Sequence, residues 1–366
     1  MPDAHPRIVI SGYYGCGNTG DEAVLAGILE SFKQKRVTAQ FTVLSADPKD
    51  TQKRHNIRAV DRMRLPGLIA ELRKCDLLIS GGGSLLQDTT SLRSLLYYLA
   101  VPWLARQLGR KVMFYAQGIG PLQSSFSRRI TAKLANRVQF ITVRDDESAQ
   151  LLRDIGVHIP TVETTADPAF AITPLSSDRT QDLLTRLQNA GNGPLLGLAL
   201  RPWIDGPDSA EWTGIAAELA ERTGGHLVLI PMQPPGDTLL GQEIASALGD
   251  RATLITSEFS PSEMLDIIRK LDVLVAMRLH ALIFGARMGI PLVALDYDPK
   301  VTGLMHRLGM QKSCILIKSA KVETVCTLVK DALNSSDIIG PLYREKSNEL
   351  ANLALINVDR ALSLCK

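Results

Sequence analysis

The chain of 366 residues is longer than one ordinary hydrophobic core organises, so two domains are expected. With 45% hydrophobic and 22% charged residues and no uninterrupted apolar stretch of membrane-spanning length, it reads as a globular chain and not as an integral membrane protein. A dispersed formal net charge of +3 argues against a nucleic-acid partner, and five scattered cysteines (Cys16, Cys75, Cys314, Cys326, Cys365) without a C-x-x-C pair suit reduced thiols in a cytoplasm better than a disulfide framework or a zinc site.

The opening MPDAHPRIVI runs straight into a strand and lacks the basic and apolar regions of a secretory leader, so secretion is not expected. Strand-length apolar runs then alternate with helix-length amphipathic segments, the pattern of parallel sheets covered on both faces. RIVISG, FTVLSA, DLLISG, KVMFYAQ and FITVRD are the strands of the first half. DEAVLAGILESFKQ and SLRSLLYYLAVPWLARQLG lie between them as helices, the latter with Leu92, Leu95, Leu96, Leu99 and Trp103 spaced to share one face. After the Pro-containing TADPAFAITPLSSDRTQDL a second series begins: GPLLGLALRPW, HLVLIPM, ATLITS, DVLVAM and IPLVALDY. The expected organisation is α/β, two doubly wound Rossmann-like domains facing a cleft: residues 1–173, residues 174–340, and a last helix over 341–366 that crosses back to the first domain.

Two constellations carry chemistry. GCGNTG after the first strand is a literal G-x-G-x-x-G, and Asp47 could stand for the ribose-binding acid of a dinucleotide fold. Asp21 and Glu22 at the start of the following helix oppose that reading, because a diphosphate there would meet like charge. Asn18 and Thr19, where a P-loop needs lysine and Ser or Thr, exclude a Walker motif. Two readings stay open: Asp21 caps the helix and the glycines make a tight turn, or Gly17, Asn18, Asp21 and Glu22 line a pocket for a neutral hydroxylated ligand. Gly81, Gly82 and Gly83 end a buried strand, and Gln117, Gly118 and Gly120 in YAQGIGPL end another, where ligands of open parallel sheets bind.

The second constellation is DVLVAMRLHALIFGARMGIPLVALDYDPK, with Arg278 and His280 at a strand-to-helix junction and Lys300 beyond the next strand. Arg144 and Arg201 end two further strands. Cations gathered at strand ends repel one another unless an anionic ligand or acids such as Asp296 and Asp298 balance them. A nucleotide-sugar donor would ask for a ribose-gripping Glu five residues before the glycine of G-x-P. Here that glycine is Gly289, and the residue is Phe284. A small anionic donor fits better than a nucleotide.

Taken together, GYYGCGNTGDEA, DLLISGGGSLLQD, YAQGIGPL, VRDDES, ADPAF, LRPW and MRLHALIFGARMGIPLVAL resemble the polysaccharide pyruvyltransferase family, most closely its CsaB-type members, over Ile8 to about Lys330. The resemblance implies a glycosyltransferase-B-like fold and transfer of pyruvate from phosphoenolpyruvate to a sugar as a 4,6-ketal. For the CsaB type it implies N-acetylmannosamine of a lipid-linked secondary cell wall polymer precursor, whose product anchors S-layer proteins.

On that reading Arg144, Arg201, Arg278, His280 and Lys300 hold phosphoenolpyruvate, while Gly17, Asn18, Asp21, Gly82, Gly83 and Gln117 meet the acceptor. His280 serves as acid or base, Asp21 or Glu22 deprotonates or orients the acceptor hydroxyls, and domain closure assembles the site. No metal or other cofactor is called for. The location is expected to be cytoplasmic, with peripheral contact at the inner face of the plasma membrane through Lys33, Lys35 and Arg36 or Arg128 and Arg129. The competing readings are a nucleotide-sugar glycosyltransferase or sugar-nucleotide epimerase of the same fold, a nicotinamide-dependent oxidoreductase, and a non-catalytic sugar-binding protein.

Overall fold

The computed structural model describes residues 5–365. Two compact units emerge, one built from residues up to Ile172 together with those from Leu350 onward, the other from Thr173–Glu349.

The first unit holds β1 (Arg7–Tyr14), β2 (Gln40–Ser45), β3 (Arg58–Asp61), β4 (Leu77–Leu86), β5 (Lys111–Ile119), β6 (Phe140–Val143) and β7 (Thr161–Thr164). They form one parallel sheet in the order β3-β2-β1-β4-β5-β6-β7. The second unit holds β8 (Leu195–Ala199), β9 (His226–Leu229), β10 (Ala252–Leu254), β11 (Val273–Ala276), β12 (Leu292–Asp296) and β13 (Cys314–Leu316), ordered β10-β9-β8-β11-β12-β13. Both are doubly wound α/β sheets. Ile8, Val9 and Ile10 in β1 and Val273, Leu274 and Val275 in β11 are all buried, as strands with helices on both faces must be.

In each sheet the chain builds outward from a central strand, returns, and builds in the opposite direction. The strand order therefore reverses between β1 and β4 in one unit and between β8 and β11 in the other. At such a reversal the helices following the two strands lie on opposite faces, leaving a crevice at the carboxyl ends. The functional residues discussed below cluster at these two places.

Close helix–sheet packing sets the geometry there. A Cβ at Gly82 would sit 2.3 Å from Val24 Cγ1, so the glycine lets the helix Thr19–Gln34 lie directly on β4. The final helix, Ser336–Cys365, buries Tyr343, Ser347, Leu350, Ala354, Val358 and Ala361 along one stripe. Its last turns lie in the first unit, where Val358 and Ala361 join the core of Ile8 and Ile10 and the Arg360 guanidinium pairs with Glu163 at 2.7 Å.

One helix differs from its sequence reading. In Leu92–Gln107 the buried stripe is Leu95, Tyr98, Leu99, Pro102 and Ala105, whereas Leu92, Leu96 and Trp103 are exposed. The apolar positions span more of the helix than one sheet face can cover, so they divide into an inward and an outward set.

Candidate functional site

In the first unit, β1 delivers the loop Gly15–Asn18 to the sheet's carboxyl edge. Gly15 and Gly17 both have φ of +71°, a conformation that favours glycine. Asn18 then caps the helix, its Oδ1 accepting from the amides of Gly20 at 2.9 Å and Asp21 at 3.3 Å.

The two acids that follow part company. Glu22 turns inward, accepting from the Gly15 amide at 2.8 Å and meeting His55 Nε2 at 2.8 Å, with only 5% of the residue exposed. It fastens the loop to the neighbouring layer and is not presented to a ligand, which corrects its assignment as a catalytic or acceptor-facing acid. Asp21 stays half-buried and leans over Gly83, where a Cβ would approach its Oδ1 to 3.1 Å and where φ is +82°. Asp21 and Gly83 are thus brought together at the β1/β4 reversal.

Gln117 and Gly82 do not join them. Gln117 is fully buried in β5 and spends its amide on Ser80 O at 3.0 Å and Ser80 Oγ at 3.1 Å, a clamp between adjacent strands. Gly82 is occupied by the packing of Val24. Gln117 therefore serves the sheet, and at Gly82 only the backbone is left to meet a ligand.

Arg144, in the first unit as its position in the chain implies, departs from expectation in its partners. Only 6% exposed, its guanidinium donates to Asp167 at 2.9 Å and Ser84 Oγ at 2.9 Å and lies 3.5 Å from Asp145. Gly118 is free of a side chain because a Cβ would meet this guanidinium at 2.8 Å. With its charge balanced by carboxylates, Arg144 is a brace behind Ser84 rather than a seat for a substrate anion.

The sequence reading missed Arg62. It follows β3 and lies 5.6 Å from the ring centre of Tyr13 and 5.8 Å from that of Tyr97, donating weakly to Tyr98 Oη at 3.4 Å. Tyr97 Oη donates back to the Arg62 carbonyl at 3.3 Å. Among the described residues no carboxylate pairs with Arg62. Burial, then Cys16 and then Asp21, raises the Tyr13 phenol, and burial raises the Cys16 thiol against the pull of Arg62, so both stay protonated beside Asp21 at neutral pH.

In the second unit β8, β11 and β12 bring their carboxyl ends side by side. Arg201, just past β8, donates its backbone amide to Met277 Sδ at 3.5 Å. Its guanidinium lies 4.9 Å from the Trp203 ring and 5.1 Å from the Tyr297 ring, which contact each other edge-on at 4.7 Å. Its Nε is buried without a hydrogen-bond partner, and no carboxylate pairs with it among the described residues. A polarised, uncompensated cation held between two rings at the β8/β11 reversal can accept an anion without first breaking an ion pair.

The other expected cations are balanced. Arg278 reaches Asp237 through Nε at 2.9 Å and Gln233 Oε1 through Nη1 at 3.0 Å, and Asp237 also accepts from the amides of Met232 and Gln233. Lys300 pairs with Asp298 at 3.0 Å and faces the Tyr297 ring at 5.7 Å. Of the two ways of balancing the rim that the sequence left open, local acids serve Arg278 and Lys300, Asp298 being one of those named. Arg278 nonetheless caps the helix Leu279–Met288 without lending it a side-chain hydrogen bond, and His280 sits half-buried in that helix's first turn. Phe284 is fully buried, and Gly289 ends the helix at φ of +72° with the Arg344 side chain against it. Phe284 offers nothing to a ribose.

Among the described residues no group of three His, Cys, Asp or Glu side chains is arranged to hold a metal ion. Among the described residues no helix is long and apolar enough to cross a membrane.

Comparison with known proteins bears on the whole constellation. Residues 18–299 match the family model described as polysaccharide pyruvyl transferase. The amylovoran biosynthesis protein AmsJ of Erwinia amylovora is 21% identical, with 91% of this chain and 93% of that protein covered. Among solved structures, Anabaena HepE in complex with UDP and glucose superposes with a TM-score of 0.65 at 13% identity, covering 98% of this chain and 99% of that one. UDP-GlcNAc 2-epimerase from Neisseria meningitidis bound to UDP-GlcNAc gives a TM-score of 0.64 at 14% identity, covering 98% and 100%. At these identities the structural likeness carries the fold, which is glycosyltransferase-B-like.

Proposed function

Because the chain belongs to the polysaccharide pyruvyl transferase family, and is a pyruvyltransferase, we propose that its donor is phosphoenolpyruvate and that it forms a 4,6-ketal on a sugar of a polysaccharide precursor. The family match and the relation to an amylovoran biosynthesis protein support a saccharide acceptor. The CsaB-like motifs favour N-acetylmannosamine on a lipid-linked precursor.

The observation that carries the donor assignment is Arg201, a guanidinium free of carboxylate partners beside the amino end of the helix Leu279–Met288. Phosphoenolpyruvate brings a carboxylate and a phosphate, and the guanidinium takes one of them while the helix amides and Lys300 take the other. The acceptor is the business of the first unit, where Asp21 over Gly83 and the Arg62–tyrosine group offer acceptors and donors to hydroxyls.

The reaction balances without a redox partner. The enol methylene takes up a proton, the first sugar hydroxyl adds to the adjacent carbon and gives up its proton, phosphate leaves, and the second hydroxyl closes the ketal and gives up its own. Of the two hydroxyl protons, one replaces that consumed at carbon and the other departs with phosphate. His280 is suited to carry a proton on the donor side and Asp21 to receive one on the acceptor side. No metal is invoked.

The test is phosphate release from phosphoenolpyruvate in the presence of acceptor. His280→Gln should lower kcat by about two to four orders of magnitude, the usual worth of a general acid or base, with little change in KM. Full activity in that variant removes His280 from the chemistry. The UDP complexes of the structural neighbours favour a second reading, a nucleotide-sugar enzyme. Buried Phe284 opposes it, and UDP should not raise the melting temperature.

A further inference from the structure

We propose that the helix layer of Leu65–Lys74, Leu92–Gln107 and Ser125–Ala135 is a docking face for an anionic lipid bilayer. The proposal takes its purpose from a lipid-linked acceptor but stands on separate observations.

The first is exposure. Met63, Leu65, Leu92, Leu96, Trp103 and Phe126 are 70%, 62%, 44%, 36%, 48% and 52% exposed. Leu92, Leu96 and Trp103 stack at i, i+4 and i+11 on the outward side of one helix, and Phe126 starts the helix packed beside it. These three helices connect strands that build in one direction across the sheet, so right-handed crossovers put them on the same face. Tyr97 binds the Arg62 carbonyl, which ties Met63 and Leu65 to the same end of that face. Single apolar side chains on a surface are ordinary, but a row of them along adjacent helices marks an interaction surface.

The second is charge. From Thr89 to Arg144 the chain carries nine Lys and Arg and no Asp or Glu, although at the overall frequency of 38 acids in 366 residues about six would be expected. Arg93, Arg128, Arg129 and Lys133 are exposed, and none has an ion pair among the described residues. Arg129 and Lys133 share the outward side of their helix with Phe126. The acids of this layer and its margin are engaged: Glu71 in Leu65–Lys74 pairs with Arg58 at 2.8 Å, Asp88 accepts from the amides of Gln123 at 2.8 Å and Ser124 at 3.0 Å, and Asp61 accepts from the Met63 amide at 2.8 Å. In the earlier basic run, Lys33 lies 3.6 Å from Glu30 and Lys35 2.8 Å from Asp359, which leaves Arg36 as its one residue without an ion pair among the described residues.

Apolar side chains interleaved with unpaired cations match the acyl–headgroup boundary of an anionic leaflet, which takes Leu, Trp and Phe below the phosphates and Arg and Lys among them. Leu92 and Met63 sit at the carboxyl edge of the sheet, the edge that carries Asp21, Gly83 and Arg62. Docking there sets the acceptor end of this unit at the membrane surface.

The test is sedimentation of the full chain with vesicles of phosphatidylcholine alone or with a quarter of phosphatidylglycerol. The chain should bind the anionic vesicles, weaken with salt, and bind neutral ones far less. Leu92→Ser/Leu96→Ser/Trp103→Ser should lower the affinity by about tenfold or more. Arg129→Glu/Lys133→Glu should lower it by more than about twentyfold on anionic vesicles, at about fivefold per charge removed. Both sets are exposed, so melting temperature and turnover of a water-soluble acceptor should hold. No binding to anionic vesicles, binding indifferent to both variants, or a dimer in equilibrium sedimentation that the apolar variant dissolves would overturn the proposal. If vesicles bind but the soluble acceptor is not turned over, the catalytic reading fails and the docking face stands.

Discussion

Arg201 and Arg278 follow adjacent strands, β8 and β11, on one sheet edge, and replacing each with methionine should have opposite consequences. Arg201→Met removes two cation–ring contacts, at 4.9 and 5.1 Å, worth about 0.5–1 kcal/mol each. It also removes a buried Nε without a partner, whose burial costs about 1–3 kcal/mol. The two nearly cancel, so stability should change by no more than about 1 kcal/mol, a shift in Tm of about 2–4 °C in either direction. Donor binding has no such compensation. Loss of charge-assisted hydrogen bonds to a phosphate or carboxylate, at about 1.5–3 kcal/mol, should raise KM for phosphoenolpyruvate by about tenfold to two-hundredfold. Arg278→Met leaves Asp237, with a side chain 1% exposed, as a buried charge whose remaining partners are amides, and should cost about 3–5 kcal/mol of stability. Thermal melting and steady-state kinetics on both variants decide the matter. If Arg201→Met melts many degrees lower with an unchanged KM, its guanidinium is a piece of packing and the donor assignment is wrong.

Three further outcomes follow from the geometry. Asp21→Asn should reduce kcat with acceptor by about a hundredfold or more while the fold holds, whereas Glu22→Gln should weaken the Gly15 and His55 contacts and show mainly as a loss of about 1–3 kcal/mol in denaturant titration. Gly83→Ala should raise the acceptor KM and leave the phosphoenolpyruvate KM alone, because a methyl at a φ of +82° crowds Asp21 Oδ1. Burial holds the His226 imidazole below the usual histidine range. The unfolded chain therefore binds a proton that the native one refuses, and this contribution to stability is full above about pH 6.5 and is lost as pH falls toward the lower native value. His226→Gln, which keeps a partner for Thr253, should flatten that slope in denaturation at about pH 7.5 and about pH 5.5.

The central strands were legible because burial on both faces writes them as unbroken apolar runs: RIVISG, DLLISG and DVLVAM became β1, β4 and β11. RAVD, TVET and CIL were not read. They form β3, β7 and β13, three of the four sheet edges, short and partly exposed and so without the run that marks an interior strand. Missing β3 also hid Arg62, which belongs to no motif and acquires its aromatic neighbours from β1 and from the helix Leu92–Gln107. The glycine clusters announced where the strands end, but not which way adjacent side chains turn. Asp21 and Glu22 differ by one helical step, and only the seating of the helix on β4 sends one to the edge and the other to His55. Arg278 was legible as a cation at a helix start. Its neutralisation by Asp237, 41 residues earlier in the chain, was not, because that pairing depends on β9 and β11 flanking β8.

On the proposed function, phosphoenolpyruvate seated on Arg201 supplies the pyruvyl group of a ketal on a saccharide. The most direct measurement is mass spectrometry of an N-acetylmannosamine-containing lipid-linked acceptor after incubation with phosphoenolpyruvate, with phosphate followed in parallel. One pyruvyl ketal should be gained per phosphate released, and with Arg201→Met both events should slow by about fivefold to a hundredfold at donor concentrations near the wild-type KM. Turnover of a UDP-sugar with phosphoenolpyruvate left intact would contradict it.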